Sequence, residues 1–369
     1  MSGYRYDRKG LENRRVFTPT PTGSETNLRL TLNYDKGKQT VSAGYLNFLG
    51  IQTQRQLRLY AEPTVAWLAP GRYTLRQATA DLRVWDVTNP TQPSSQSMVI
   101  AGGEGIWANA QKGTYAIFTE AQFRQPVSLE MVANQNIRAE VTPNLLIVVS
   151  PPFRAEAERL AAFRRSHDGL TVLVLTTRQL YNEFASGQAD PTAIRDAARY
   201  FSKKLPNTLR YLLLFGDATY DYRNLSGLMN AAQIANTVPV YESRESLHPV
   251  LSYSSDDYFG FLKDTDGEWV ETNAGDLRLD IGVGRLPVKS TDEARTVVDK
   301  LIRYASDKTL NGDWQTRLSF VADDGDANIH QFDADQLART VETQTPFRPQ
   351  RIFLDDFTQE SAPGGQRAP

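Results

Sequence analysis

From Leu209 to Phe215 the chain runs apolar, broken only by Arg210, and stops abruptly at Gly216 and Asp217. A strand of this kind has both faces buried, and such strands belong to parallel sheets covered by helices. In those sheets ligands and catalytic groups gather beyond the carboxyl ends of the strands, which is where Gly216 and Asp217 stand. Glycine and aspartate after a strand also make an ordinary turn, and both readings stay open here.

The surrounding sequence supplies the helices that such a sheet needs. Leu145–Val149 is another apolar run, Phe153 to His167 places Ala157, Leu160, Ala161 and Phe163 at helical spacing, and Leu170 to Leu175 reads as a strand. Thr177 to Ala185 and Pro191 to Lys204 read as helices, the second opened by Asp190 as N-cap with Pro191 at its first position. After a long irregular region, 218–277, come a strand (Leu279 to Val283), a helix (Thr291 to Ala305), a strand (Leu318 to Ala322), a helix (Phe332 to Val341) and a strand (Arg351 to Leu354). This alternation over 140–355 predicts an α/β domain with a mainly parallel, doubly wound sheet.

Upstream the period is two. Residues 1–24, with their Thr18 to Gly23 turn chemistry, read as a lead-in segment, and 25–138 as a β-rich, sandwich-like domain. Its expected strands include Leu28 to Leu32, Val41 to Tyr45, Leu57 to Tyr60, Arg72 to Leu75, Leu82 to Val87, Tyr115 to Phe118 and Val127 to Val132. Trp67, Trp85 and Trp107 are assigned to its core.

Charge excludes some partners. The 369 residues carry 41 Lys and Arg against 43 Asp and Glu, a net charge of -2 without like-charged runs, so no nucleic-acid or anionic-lipid surface is expected. No apolar stretch is long enough to span a bilayer and the first residues lack a signal-peptide core, so the chain as it stands reads as soluble and unexported. The chain has no cysteine, hence no disulfide, thiolate nucleophile or sulfur-bound metal within these residues.

Three acidic groups fall at or near strand ends: Asp217 with Asp221, Asp256 with Asp257, and Asp323 and Asp324 with Asp326. Carboxylates pooled on one rim can hold a cation, move protons or accept a phosphoryl group, but aspartates also follow strands because they start turns and helices. A phosphoryl acceptor at Asp217 or Asp324 needs a lysine at another strand end, and the sequence places none. Asp264, Asp266 and Glu268 hint at structural calcium without matching the EF-hand spacing, so no cofactor is expected. His167, His248 and His330 are scattered, and Gly282 to Arg285 lacks the third glycine of a dinucleotide site.

The ordered motifs Leu213–Asp217 (LLFGD), Tyr220–Asn224 (YDYRN), Val238–Glu242 (VPVYE), Ser254–Gly260 (SSDDYFG), Asp280–Val288 (DIGVGRLPV) and Phe320–Asp324 (FVADD) resemble the gingipain-type cysteine peptidases. Within them the likeness is strongest to the sortases of the type IX secretion system, the PorU-like proteins. It covers 140–369, while Leu82–Pro90 (LRVWDVTNP) resembles the β-domain that precedes the peptidase domain there.

The resemblance implies a caspase-like fold in which a His and Cys pair cleaves peptide bonds, the thiolate attacking and the imidazole carrying the proton. In the family both lie downstream of the segment matching Arg351 to Asp355. The expectation is therefore a fragment, inactive alone, of a peptidase that removes C-terminal signal domains from secreted cargo at the cell surface or outer membrane of a Bacteroidetes-type bacterium. By the same resemblance the acid that assists the histidine falls on Asp324, with Asp323 as second choice. The alternative is a cargo-binding or scaffold module of the same machinery.

Overall fold

The computed structural model describes residues 13–18, 29–38, 43–52, 54–126, 129, 131–243, 245, 247–266, 278–323, 325–360 and 366–367. The chain divides into two units, Arg15–Ala133 and Asn134–Pro369 with Met1–Arg14.

In the first unit the strands are β1 (Thr64–Leu68), β2 (Gly71–Arg76), β3 (Leu82–Asp86), β4 (Ser94–Ser95), β5 (Val99–Ala101), β6 (Glu104–Asn109) and β7 (Gly113–Thr119). They pair antiparallel in two sheets, ordered β1-β7-β3-β4 and β2-β6-β5. Alternation sends Leu82, Val84, Tyr115 and Ile117 to one face, where they meet Leu75 and Trp107 of the other sheet in one buried cluster. Burying each large apolar side chain is worth about 1.5–3 kcal/mol, so this cluster holds the two sheets together.

Trp107 is in that core, and Trp85 packs edge-on against Phe118. Trp67 is not in the core: it is 70% exposed, because Val65 and Trp67 occupy the outward positions of β1. Residues 29–36 and 43–50 also depart from expectation, forming no strand and leaving Leu32 64% and Tyr45 93% exposed. Alternation alone does not make a strand; a neighbour must supply the ladder and bury one face. Leu28, Val41 and Val127 lie outside the described residues.

The second unit contains β8 (Leu145–Val149), β9 (Val172–Thr176), β10 (Tyr211–Phe215), the short β11 (Tyr241–Glu242) and β12 (Ser254–Ser255), and β13 (Gly282–Leu286). Four of these form a wholly parallel sheet in the order β13-β10-β8-β9, with Leu213 opposite Ile147 on one side and Gly284 on the other. Helices α1 (Arg154–Asp168), α2 (Thr177–Phe184), α3 (Thr192–Lys204), α4 (Ala231–Ala235) and α5 (Thr291–Ser306) follow in chain order. Ala157, Leu160 and Ala161 of α1 and Ala294 and Val298 of α5 cover one face; Leu180 of α2 and Ile194, Ala197 and Phe201 of α3 cover the other. The sheet is doubly wound, as the apolar runs require.

Local signals set the helix ends. Asp190 accepts the Thr192 amide at 2.8 Å and Pro191 has helical φ, so α3 starts where its cap chemistry directs. Ser290 accepts the Glu293 amide to open α5, and Gly169, at φ 66°, closes α1.

The expected single sheet over 140–355 is divided. β14 (Arg317–Ala322) and β15 (Arg348–Phe353), joined by α6 (Ile329–Gln344), pair in parallel as a two-stranded sheet of their own. β8 is buried along its whole length, whereas Val321 of β14 is 70% exposed and Leu318 39%. Strand and helix alternation is the same in both cases; coverage of both faces is not.

Candidate functional site

At the carboxyl rim of the four-stranded sheet, the turn after β10 is built around Gly216. Its φ is +151°, and a Cβ there would lie 2.9 Å from the Asn236 carbonyl oxygen and from Val238 Cγ2. The Asp217 amide donates to the Val288 carbonyl at 3.0 Å, and its own carbonyl accepts from Val238 at 2.9 Å. These bonds bring the chain beyond β13 and the segment before β11 against the tip of β10.

Arg285, on β13, fills the space between them. Its Nε and Nη2 donate to the two carboxylate oxygens of Asp256 at 2.7 Å each, Nη1 to the carbonyls of Gly216 (3.1 Å) and Val238 (2.9 Å), and Nη2 to Pro239 (3.0 Å). The side chain is only 10% exposed. A planar fork that satisfies a carboxylate bidentately and three carbonyls leaves no donor for a substrate. Arg285 is thus a fastening, and Asp256, read as a candidate acid, is its counter-charge.

The other carboxylates of this region also have local duties. Asp221 accepts from the Ser226 hydroxyl, then from the Ser226 and Leu225 amides, which hold its carboxyl below the usual range. Asp264 pairs with Lys203 at 2.6 Å, which likewise keeps it low. Asp266 is buried and accepts the Lys263 amide at 2.8 Å; Glu268 lies outside the described residues. The lysine that sequence reasoning did not place is Lys289, three residues beyond β13, with Nζ 3.7 Å from Asp217 Oδ2. Among the described residues no group of three or more His, Asp or Glu side chains is placed to hold a metal ion.

A second rim lies at the ends of β14 and β15, where Ala322 stands opposite Phe353. Asp323 follows β14 directly; Asp324 lies outside the described residues. The chain then turns through Asp326, Ala327 and Asn328 at φ 51°, 58° and 61°, a run of left-handed non-glycine residues that costs about 1–3 kcal/mol per position. Asn328 donates to Asp355 Oδ2 at 3.1 Å, tying the loop to the end of β15, and His330 Nε2 sits 3.4 Å from Asp326 Oδ2. Asp323 and His330 line one open cleft of about 590 Å³ between β14 and α6, floored by Phe320, Ala322 and Leu337.

This second rim therefore gathers Asp323, Asp326, His330 and Asp355. Carboxylates there can accept a hydrogen bond from an imidazole and so fix the orientation of its ring. Asp355 and Asn328 were not singled out from sequence, because their pairing depends on the parallel register of β14 and β15.

The profile of peptidase family C25 matches residues 138–369. Among solved structures, dimeric latent PorU from Porphyromonas gingivalis aligns with a TM-score of 0.57 at 28% identity, over 70% of this chain and 26% of that one. The Arg-specific cysteine proteinase gingipain R aligns with a TM-score of 0.40 at 15% identity, over 60% of this chain and 43% of that one. The chain thus spans about a quarter of the length of PorU. No curated protein matches.

Proposed function

The chain belongs to peptidase family C25, and from that premise we propose that residues 140–369 are the leading part of the peptidase domain of a sortase-type cysteine endopeptidase. Its substrates on this reading are secreted proteins carrying C-terminal signal domains, processed at the cell surface or outer membrane. The β-rich region, 25–138, is read as a sandwich preceding that domain. The family match carries the proposal, and the 28% identity to PorU favours the sortase branch.

With no cysteine among the 369 residues, the attacking thiolate comes from outside them. The part proposed for this chain is the acid that orients the histidine moving the proton, Asp324 or, as second choice, Asp323, which follows β14 directly. An acid in that position holds the imidazole's ring orientation and stabilises its positive charge while the thiolate attacks.

The pure chain is expected to leave a fluorogenic cargo-junction peptide uncut, and sustained cleavage by it would overturn the reading. In a preparation that also carries the thiol-bearing segment, cleavage should be blocked by iodoacetamide. There the Asp323→Asn and Asp324→Asn variants should show, in one of the two, a fall in kcat with a displaced pH profile. Thiol-independent cleavage, or two variants with wild-type profiles, would refute the assignment. The lack of cysteine also favours a second reading, a cargo-binding or scaffold module; it predicts cargo binding by the β-rich unit and no cleavage in any preparation.

A further inference from the structure

In the β-rich unit the sheet edges are not alike. β4 and β5 are two and three residues long, and the outer side of β2 is covered where Leu59 donates to the Arg76 carbonyl and Arg76 to that of Leu57. β1 is five residues long, and among the described residues it pairs with β7 alone. Natural edges are guarded by charge, proline, a bulge or shortness, because an open row of N–H and C=O groups recruits another strand. β1, with the sequence TVAWL, has no charge, proline or bulge, and it presents Val65 (64% exposed) and Trp67 (70%) on its outer face.

The approach to this strand carries two arginines, Arg55 and Arg58, against one carboxylate, Glu62. Arg55 Nη2 donates to Thr64 Oγ1 at 2.7 Å, and the guanidinium carbons of Arg55 and Arg58 lie 3.8 and 4.8 Å from the ring centre of Tyr60. Both arginines are exposed, and neither has a carboxylate partner among the described residues.

We propose that the free edge of β1 docks the C-terminal end of an extended polypeptide, added as an antiparallel strand with its terminal carboxylate at Arg55 and Arg58. Direction follows from charge. An antiparallel strand brings its C-terminus to Thr64 and so to the arginines, whereas a parallel strand would bring its ammonium group there. Main-chain bonds along β1 supply affinity and alternate apolar side chains of the guest lie beside Val65 and Trp67, the usual division of labour in strand addition. The free carboxylate supplies polarity and register through charge-assisted bonds to guanidinium. The site needs no catalysis and stands apart from the peptidase reading.

The test uses the whole chain and an N-terminally fluorescein-labelled octapeptide of alternating valine and threonine, prepared with a free C-terminal carboxylate or as the C-terminal amide. Fluorescence anisotropy is expected to show the acid bound at least tenfold more tightly than the amide. Arg55→Gln should bring the acid down to the affinity of the amide and leave the amide unchanged, while Trp67→Lys should weaken both. Absence of binding, equal binding of acid and amide, or an inert Arg55→Gln would overturn the proposal. So would sedimentation showing that the chain pairs with a second copy through β1 and excludes the peptide.

Discussion

Removing the Arg285 guanidinium tests whether the rim after β10 is held by one fastening. In Arg285→Met the Asp256 carboxylate loses both partners, and the buried carbonyls of Gly216, Val238 and Pro239 lose their donors. Breaking a buried ion pair from one side costs about 3–5 kcal/mol, and the 26% exposure of Asp256 lets water recover part of it, so about 3 kcal/mol is expected. For a unit of this size that lowers the melting temperature by roughly 6–12 °C. Circular dichroism melts should show the loss in the transition of the α/β unit and leave that of the β-rich unit in place. Arg159→Gln, which removes a 40% exposed arginine paired with Asp299 and Glu156, serves as the contrast: water replaces its bonds, and it should cost under about 1 kcal/mol. The paired variant Arg285→Met with Asp256→Leu should be less destabilised than the sum of the two single variants, because it strands no charge. A loss below about 1 kcal/mol in Arg285→Met, or strict additivity in the pair, would refute the fastening argument.

Gly216→Ala should destabilise the same unit by about 1–3 kcal/mol, since φ +151° is hostile to a side chain and the added Cβ meets the Asn236 carbonyl at 2.9 Å; an unchanged urea midpoint would contradict this. On the second sheet, hydrogen bonds from Arg351 hold the carboxyls of Asp335 and Glu342 below their usual range. Carboxyls depressed in the folded state add stability above their unfolded values, near pH 4, and lose it as pH falls through the folded ones. Arg351→Gln should therefore melt below the parent chain at pH 7, with the gap closing towards pH 2–3 and in 1 M salt; a gap that ignores pH would show that the pairs contribute nothing.

What could be read from the sequence divides by the range of the interaction responsible. The parallel sheet was legible because Leu145–Val149 and Leu212–Phe215 are short, wholly apolar runs of the kind that central strands of covered parallel sheets carry. The start of α3 was legible because Asp190 and Pro191 act within one turn. Strands upstream were overcounted where Leu30, Leu32 and Tyr45 meet no ladder among the described residues, and Trp67 was placed in the core because period two does not say which face is inside.

The site was less legible for the same reason. Asp217, Asp221 and Asp256 look alike in sequence, yet Asp221 caps a turn four and five residues away, Asp256 answers an arginine 29 residues downstream, and Asp217 faces Lys289. Only the first partner lies within the window that local pattern can scan. The division of the sheet belongs here as well: β14 carries the apolar residues of a buried strand, but Val321 remains exposed, so the composition of a strand records the burial it is suited to and not the burial it receives. The rim at Asp323, His330 and Asp355 therefore depends on a parallel register between β14 and β15 that no single segment encodes. A disturbance of that register, such as a proline at Gln350, opposite Ser319, should separate Asn328 from Asp355 before it touches the four-stranded sheet.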